Sequence, residues 1–266
     1  MCEFTAKKPA ETVYSNPADI NEQIEKAAEL IRSSERPFIY AGGGVVSCNA
    51  EDELSKLVLA LDAPVSLSLM GQTAFNNKDS HFVGMLGMHG TKTASLTLKE
   101  CDLMIVLGSR FSDRVALNTK TFAKHTKVIH VEIDPAEIGK NVAPDCYVNG
   151  DLKYVLSKLN EIIEPASNPD WMAQVAEWKN TYEVPMTPIE KEDEVLPDEV
   201  IKTLNRLAGE NTIITTEVGQ HQMWTAQYYD FTEPRSFASS GGLGTMGYGL
   251  GAAIAVSYTH LRAHET

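Results

Sequence analysis

The sequence predicts an α/β protein: a doubly wound, Rossmann-like parallel sheet followed by a second, truncated α/β unit. Three observations carry this reading. Short apolar runs lack polar alternation, amphipathic helical stretches separate them, and polar Gly-rich loops follow them. A strand that is apolar on both faces is covered on both, which is the condition of a parallel sheet flanked by helices. With 266 residues, 43% hydrophobic and 22% charged, the chain can supply two ordinary cores.

The elements follow in order. Asn16-Pro17 is read as the cap of a helix running to about Ser33, because Asn accepts free amides and Pro suits a first turn. Pro37–Tyr40 is a buried strand stopped by Gly42, Gly43 and Gly44. A helix from about Ala50 to Leu61 places Leu54, Leu57, Val58 and Leu61 on one face. Pro64–Leu67 is a strand, Thr91–Glu100 a helix, Leu103–Leu107 and Lys127–Ile133 strands, and Asp151–Ile163 an amphipathic helix. Residues 21–165 thus make one doubly wound domain, after a remnant or linker at 1–20. Residues 166–196, with several prolines and the acidic run Glu190–Glu194, read as a linker holding one helix near Trp171–Lys179. A second unit occupies 197–256: helix Asp198–Leu207, strand Thr212–Thr216, helix His221–Tyr229, strand Ser236–Ser239, and a Gly-rich turn into a helix at Thr245–Val256. Residues 257–266 lose the small apolar pattern and look foreign to it.

Charge and cysteines narrow the function class. A net charge of −13, from 36 acidic against 23 basic residues, opposes general nucleic-acid binding. Cys2, Cys48, Cys101 and Cys146 form no C-x-x-C pair, so neither a zinc site nor a disulfide framework is indicated. Reduced thiols, no apolar leader and no run of ~18 apolar residues predict a cytoplasmic protein without membrane or nucleic-acid partners.

The candidate chemistry sits at strand ends, where open α/β sheets bind ligands. Gly42–Gly44 lets backbone approach something flat or anionic, or simply makes a tight turn. Leu86, Gly87, Met88 and His89 precede the helix at Thr91. Gly108, Ser109, Arg110, Phe111 and Ser112 follow a strand, with Arg110 and Arg114 able to clamp an anion or to lie solvated at the surface. Glu132 and Ile133 end the next strand, where a carboxylate can accept from ribose hydroxyls. Such loops at successive strand ends favour a nucleotide across the sheet's edge. In the second unit, Gln220 and His221 also follow a strand. Gly242, Gly244 and Gly247 spell G-x-G-x-x-G between a strand and a helix, which leaves open a nicotinamide fingerprint or a structural turn.

The segments GGGVV, LMGQ, GMLGMHGTKTA, CDLMIVLGSRFSDRV, HVEIDPAEIGKN and GDLKYVL resemble the flavin-binding middle domain of acetolactate synthase large subunits. EVGQHQMW followed by SSGGLGTMGYGLGAAI resembles the start of that family's diphosphate-binding domain. The resemblance implies an extended flavin (FAD) contacted by Gly43, Ser68, Leu69, Leu86–His89, Gly108–Ser112, Glu132, Ile133, Asp151 and Leu152. Glu132 stands where the family usually has aspartate. Arg114 resembles the arginine that orients the second keto acid, and Gln220 and His221 the pair on the diphosphate of thiamine diphosphate. Gly244 resembles the residue whose carbonyl holds the aminopyrimidine, followed by Thr245, with Val218 packing near that ring and Met246 the apolar wedge that bends the cofactor. Gly251 replaces a usual proline.

By the same resemblance the activating glutamate and the Mg2+ motif belong to segments this chain lacks. No catalytic or metal residue is therefore assigned, Glu217 included, and the 266 residues alone are expected to be inactive. The implied enzyme condenses pyruvate with a second 2-oxo acid in valine and isoleucine synthesis, as a homo-oligomer with or without a regulatory subunit. Another thiamine-diphosphate carboligase or decarboxylase, and a non-catalytic flavin- or nicotinamide-binding domain, are the alternatives.

Overall fold

The computed structural model describes residues 16–119, 121–182, 195–209 and 211–261. Cys2 and the acidic run Glu190–Glu194 lie outside the described residues. The first unit runs α1 (Ile20–Arg32), β1 (Pro37–Ala41), α2 (Gly43–Ser47), α3 (Glu51–Leu61), β2 (Val65–Leu67), a 3-10 turn (Leu69–Gly71), β3 (Phe82–Met85), α4 (Lys92–Glu100), β4 (Leu103–Leu107), β5 (Lys127–Glu132), β6 (Cys146–Asn149), α5 (Leu152–Ile162) and α6 (Pro169–Thr181). Its six strands are all parallel, in the order β3-β2-β1-β4-β5-β6. The doubly wound expectation holds.

Both faces of the inner strands β1, β2 and β4 are dry, which is why those strands show no polar alternation. Ile39, Ile105 and Ile129 point to one side, against Leu54, Leu57 and Val58 of α3 and Val155 and Leu156 of α5. Phe38, Tyr40, Met104 and Val106 point to the other, with Trp171 and Val175 of α6. Each large apolar side chain fully buried this way contributes roughly 1.5–3 kcal/mol. The segment expected to be a linker therefore carries a helix that covers the sheet. Trp171 is anchored there, its indole Nε1 donating to the Pro37 carbonyl at 3.0 Å.

One correction concerns local detail. Asn16 does not cap α1, which begins at Ile20; its side-chain oxygen instead accepts from the Asp151 backbone N–H at 3.0 Å. The edge strand β6 is tied to α1 by Gln23, whose side-chain oxygen accepts from Asn149 N–H at 2.8 Å. That contact satisfies part of an otherwise open sheet edge.

The second unit comprises α7 (Pro197–Leu207), β7 (Ile214–Thr216), α8 (Gln220–Tyr228), β8 (Phe237–Ser239) and α9 (Tyr248–Leu261). β7 and β8 pair in parallel, and Ile214, Tyr229 and Phe231 form a small core. The final helix begins at Tyr248 rather than Thr245, and it does not stop at Val256 but continues to Leu261. Among the described residues no helix is long and apolar enough to cross a membrane.

Candidate functional site

Because all six strands are parallel, the loops after β1, β2, β3, β4, β5 and β6 lie at one edge of the sheet. Gly43, Ser68, His89, Arg110, Glu132 and Asp151 are thereby gathered along that edge rather than scattered. Strand order reverses between β1 and β4, and the crevice of such a sheet opens there. At this point two backbone segments cross in close contact. A Cβ on Gly42 would lie 2.2 Å from the Gly108 carbonyl oxygen, and one on Gly44 2.7 Å from Gly108 Cα. Two of the three consecutive glycines thus serve the crossing. A Cβ on Gly43 would instead lie 3.1 Å from Met70 Cβ.

Below the crossing, the buried Tyr40 hydroxyl lies near the side chains of Ser109 and Ser68, two candidate residues from neighbouring loops. Burial pushes its pKa up to about 12, against the lowering effect of those two hydroxyls. Sequence reading treated Tyr40 only as a strand residue. The missed signal was a polar-tipped aromatic in an otherwise apolar strand.

His130 was likewise read only as part of β5. It is fully buried, its ring lies edge-on to Phe111, and Nε2–H donates to the Ser109 carbonyl at 2.9 Å. That bond assigns the proton to Nε2 and leaves Nδ1 a buried acceptor without a partner. Burial lowers the His130 pKa, outweighing the bond to Ser109 and the charge of Glu137, so the ring is neutral. Phe111 itself has a left-handed backbone (φ 49°) and points into the core, so in this loop only its backbone reaches the edge. The side chains of Leu86 and Leu152 are core residues in the same way.

Glu132 is the carboxylate best placed for a ligand. It is 8% exposed, and its Oε1 accepts from Ile133 N–H at 2.9 Å and Asp134 N–H at 3.2 Å. Burial raises its pKa, offset in part by those two amides. Ile133 is exposed beside it. Asp151 caps α5, its Oδ1 accepting from Tyr154 N–H at 2.8 Å. Ser68 caps the 3-10 turn through Gly71 N–H, and Leu69 flanks it, half-buried. Met88 and His89 are exposed on the Leu86–Gly90 turn. Gly87 (φ 115°) presses there against the Arg114 backbone. Arg110, Ser112 and Arg114 are exposed, and Arg114 Nη1 approaches Met88 Sδ at 3.9 Å.

In the second unit, the ends of β7 and β8 present two adjacent segments. Gln220 and His221 are exposed at the start of α8, after Gly219 (φ 151°). Val218 lies 4.0 Å from where a Cβ on Gly244 would stand, so these two candidates are neighbours. Gly244 N–H donates to the Ser240 carbonyl, and Thr245 N–H to its hydroxyl, closing the turn. Met246 is 72% exposed beyond it. Behind these loops, Ser239 accepts from both Thr216 and Gln222, a buried polar network that fixes α8 on the strands.

Glu217 decides the meaning of the G-x-G-x-x-G pattern. Its carboxylate accepts from Gly247 N–H at 2.7 Å, Gly249 N–H at 2.8 Å and Leu250 N–H at 3.3 Å. Desolvation would raise its pKa, but these amides and that of Tyr248 hold it below the usual glutamate range. The start of α9, where a pyrophosphate would sit in a dinucleotide fingerprint, is filled by the chain's own anion. The pattern therefore lacks the free helix-start amides that a dinucleotide fingerprint uses.

The first unit's loops touch the second unit at α8 and at the loop after β8. Gln227 Nε2 donates to the His89 carbonyl at 2.9 Å, and a Cβ on Gly241 would meet Met70 Sδ at 2.7 Å and Leu69 Cδ2 at 2.9 Å. A separate polar depression lined by Lys78, Asn205, Asp230, Glu233 and Ser236 contains none of the candidates. Among the described residues no cluster of three His, Cys, Asp or Glu side chains is arranged to hold a metal.

A doubly wound domain and a second parallel unit thus bring two sets of strand-end candidates into one chain. Residues 24–159 match the thiamine pyrophosphate enzyme central domain, and residues 217–265 the thiamine pyrophosphate enzyme C-terminal TPP binding domain. The chain belongs to the thiamine pyrophosphate enzyme family. It is 45% identical over 241 residues to a probable acetolactate synthase large subunit of Methanocaldococcus jannaschii, covering 87% of this chain and 40% of that protein. It is 44% identical over 235 residues to the acetolactate synthase large subunit of Parasynechococcus marenigrum, covering 87% and 37%. With the large subunit of Buchnera aphidicola subsp. Schizaphis graminum it shares 39% over 238 residues, covering 88% and 41%. The chain thus spans about two fifths of the length of these relatives.

Proposed function

We propose that this chain supplies the flavin-binding domain and part of the thiamine-diphosphate-binding domain of an acetolactate synthase catalytic subunit. The enzyme condenses pyruvate with a second 2-oxo acid after decarboxylation, in valine and isoleucine biosynthesis. The observation that carries this reading is the meeting of the first unit's strand-end loops with the second unit, at His89 against Gln227 of α8 and at Leu69/Met70 against Gly241 after β8. A flavin lying along the first edge would thereby end beside the thiamine-side loops.

The residues present fit both organic groups. Ser68, Ser109 and the buried Glu132, all at the strand-end edge, would offer hydroxyls and a carboxylate to the flavin nucleotide. Gln220 and His221 would hold the diphosphate by hydrogen bonds. The Gly244 carbonyl and Val218 would frame the pyrimidine, and exposed Met246 would provide the wedge beneath it. When bound, thiamine diphosphate supplies the electron sink that loss of CO2 from a 2-oxo acid requires. Arg114, exposed and charged, would orient the carboxylate of the second 2-oxo acid. Mg2+ is assigned to no described residue of this chain. A homo-oligomer, with or without a regulatory subunit, and a cytoplasmic setting complete the proposal. The free thiols of Cys48, Cys101 and Cys146 are in keeping with that setting.

The nicotinamide alternative loses its support because Glu217 occupies the amides it would need. The test is equilibrium dialysis of the 266-residue chain against FAD. Retention is expected, weakened about tenfold in Glu132→Ala, as loss of a charged hydrogen-bond acceptor implies. Absence of retention by demonstrably folded chain would overturn the flavin assignment.

A further inference from the structure

Helix α2 ends without a local cation, since no basic residue lies in its last turn. Its terminal carbonyls nevertheless have a charged donor, from the other unit. Arg235 Nη2 donates to the Val46 carbonyl at 2.7 Å and to the Asn49 side-chain oxygen at 2.7 Å, and Nε donates to the same oxygen at 3.0 Å. The Arg235 backbone N–H donates to Thr73 Oγ1 at 3.2 Å. One residue therefore holds both walls around Gly43: the carbonyl end of α2, which opens with Gly43, and the segment just past the 3-10 turn whose Met70 lies against it.

Both ends of this contact are bent backbone. Asn49 (φ 53°) and Arg235 (φ 57°) are two of only five described non-glycine residues with positive φ. Asn tolerates that region, but Arg has no local reason to adopt it. Such strain persists only where surrounding contacts hold it in place. The Asn49 carbonyl is also engaged, accepting from Lys153 Nζ at 2.7 Å, so the α2–α3 corner is pinned from both sides. Guanidinium cations suit helix carbonyl ends, where the peptide dipoles leave partial negative charge.

We propose that Arg235 is a positioning residue that caps α2 from the thiamine-side unit and so fixes the flavin-side wall around Gly43. The flavin part of this inference rests on the proposed function; the cap itself does not. Ordering of α2 then depends on the second unit, and the two cofactor sites are coupled through a side chain that touches neither.

The experiment is amide hydrogen exchange at Cys48, Asn49 and Ala50 in the ligand-free 266-residue chain, with FAD dialysis alongside. The variants are Arg235→Ala, Arg235→Lys, Asn49→Gly (which keeps the left-handed backbone unstrained) and the double variant Arg235→Ala/Asn49→Gly. Exchange should quicken about tenfold in Arg235→Ala and in Asn49→Gly, with little further change in the double variant and partial recovery in Arg235→Lys. The FAD dissociation constant should rise by a similar factor while the urea midpoint of the six-stranded domain stays in place. Unchanged exchange in Arg235→Ala, or fully additive effects in the double variant, would overturn the cap. Exchange that responds in chains that bind no FAD would uphold the cap and sink the flavin reading. FAD binding that ignores Arg235→Ala despite faster exchange would refute the coupling.

Discussion

The two units are assembled from the same alternation of strand, loop and helix, but they differ in how their apolar faces are covered. In the six-stranded unit the central strands β1 and β4 are dry on both sides, and even the helix after the expected linker boundary is recruited as cover through Trp171. In the two-stranded unit the core is three buried residues, while Leu204 of α7 is 43% exposed and Leu250 and Ile254 of α9 are 70% and 61% exposed. The first unit is held by burial. The second is held by polar devices: the Glu217 cap, the Gln222–Ser239–Thr216 network, and bonds to the first unit through Gln227 and Arg235. Burial tolerates changes in solvent conditions that disrupt hydrogen-bonded caps, so the two units should fail under different stresses.

The largest effect that would sharpen this contrast is in the core. Ile105→Ala, in the central strand β4, should lower the stability of the six-stranded unit by ~2–5 kcal/mol in urea titrations. Phe231→Ala should instead raise exchange across β7 and β8 and leave the main urea transition where it was. A single transition shifted equally by both variants would show that the units unfold as one.

A smaller effect comes from His130. Its folded pKa lies below its unfolded value of about 6.5, so between the two the unfolded chain binds the extra proton. Stability should therefore fall as pH drops through about 6.5, with a slope of up to ~1.4 kcal/mol per pH unit. His130→Gln should flatten that slope, as read from urea midpoints at pH 5 to 8 in ~1-unit steps. An identical slope in the variant would place the titration elsewhere.

The smallest effect is local. Glu217→Ala should quicken exchange at Gly247, Gly249 and Leu250 while Glu217→Gln, which keeps the acceptor, does so less. The Glu217 pKa is lowered in the folded chain, so its contribution is present above the usual glutamate pKa of about 4.3 and lost as pH falls through the folded value. Acidification below that range should loosen α9 before it touches the sheet of the first unit. Protection of α9 that ignores both substitution and acid would remove the cap from the account.

Legibility in the sequence followed the same division. β1, β4, β5 and the helices from α3 to α5 were readable because continuous apolar runs and 3.6-residue periodicity are local signals of two-sided burial. β3 was not readable: Phe82–Met85 has Gly84 at φ 94° and only Val83 and Met85 buried. β6 was too short, with Tyr147 exposed, and α2 hid behind two glycines that read as a turn. Of the site, strand-end placement was legible from the loops alone. What Glu217, His130, Asn16 and Arg235 do was not, because each contacts residues that only the fold brings near. The resemblance to acetolactate synthase located the candidates, but not which of their side chains are core. Phe111, Leu86 and Leu152 reach the edge only through their backbone.

The glycine crossing at the ends of β1 and β4 has a consequence for anyone wishing to re-tune this crevice. The approach there is set chiefly by main chain meeting main chain at Gly42, Gly44 and Gly108, with the Cβ of Ser109 also against Gly42. Libraries that vary the exposed Arg110 would alter what this edge recognises without disturbing the crossing. Even the smallest enlargement of one of the three glycines would force the strands apart, and with them every loop the crevice depends on.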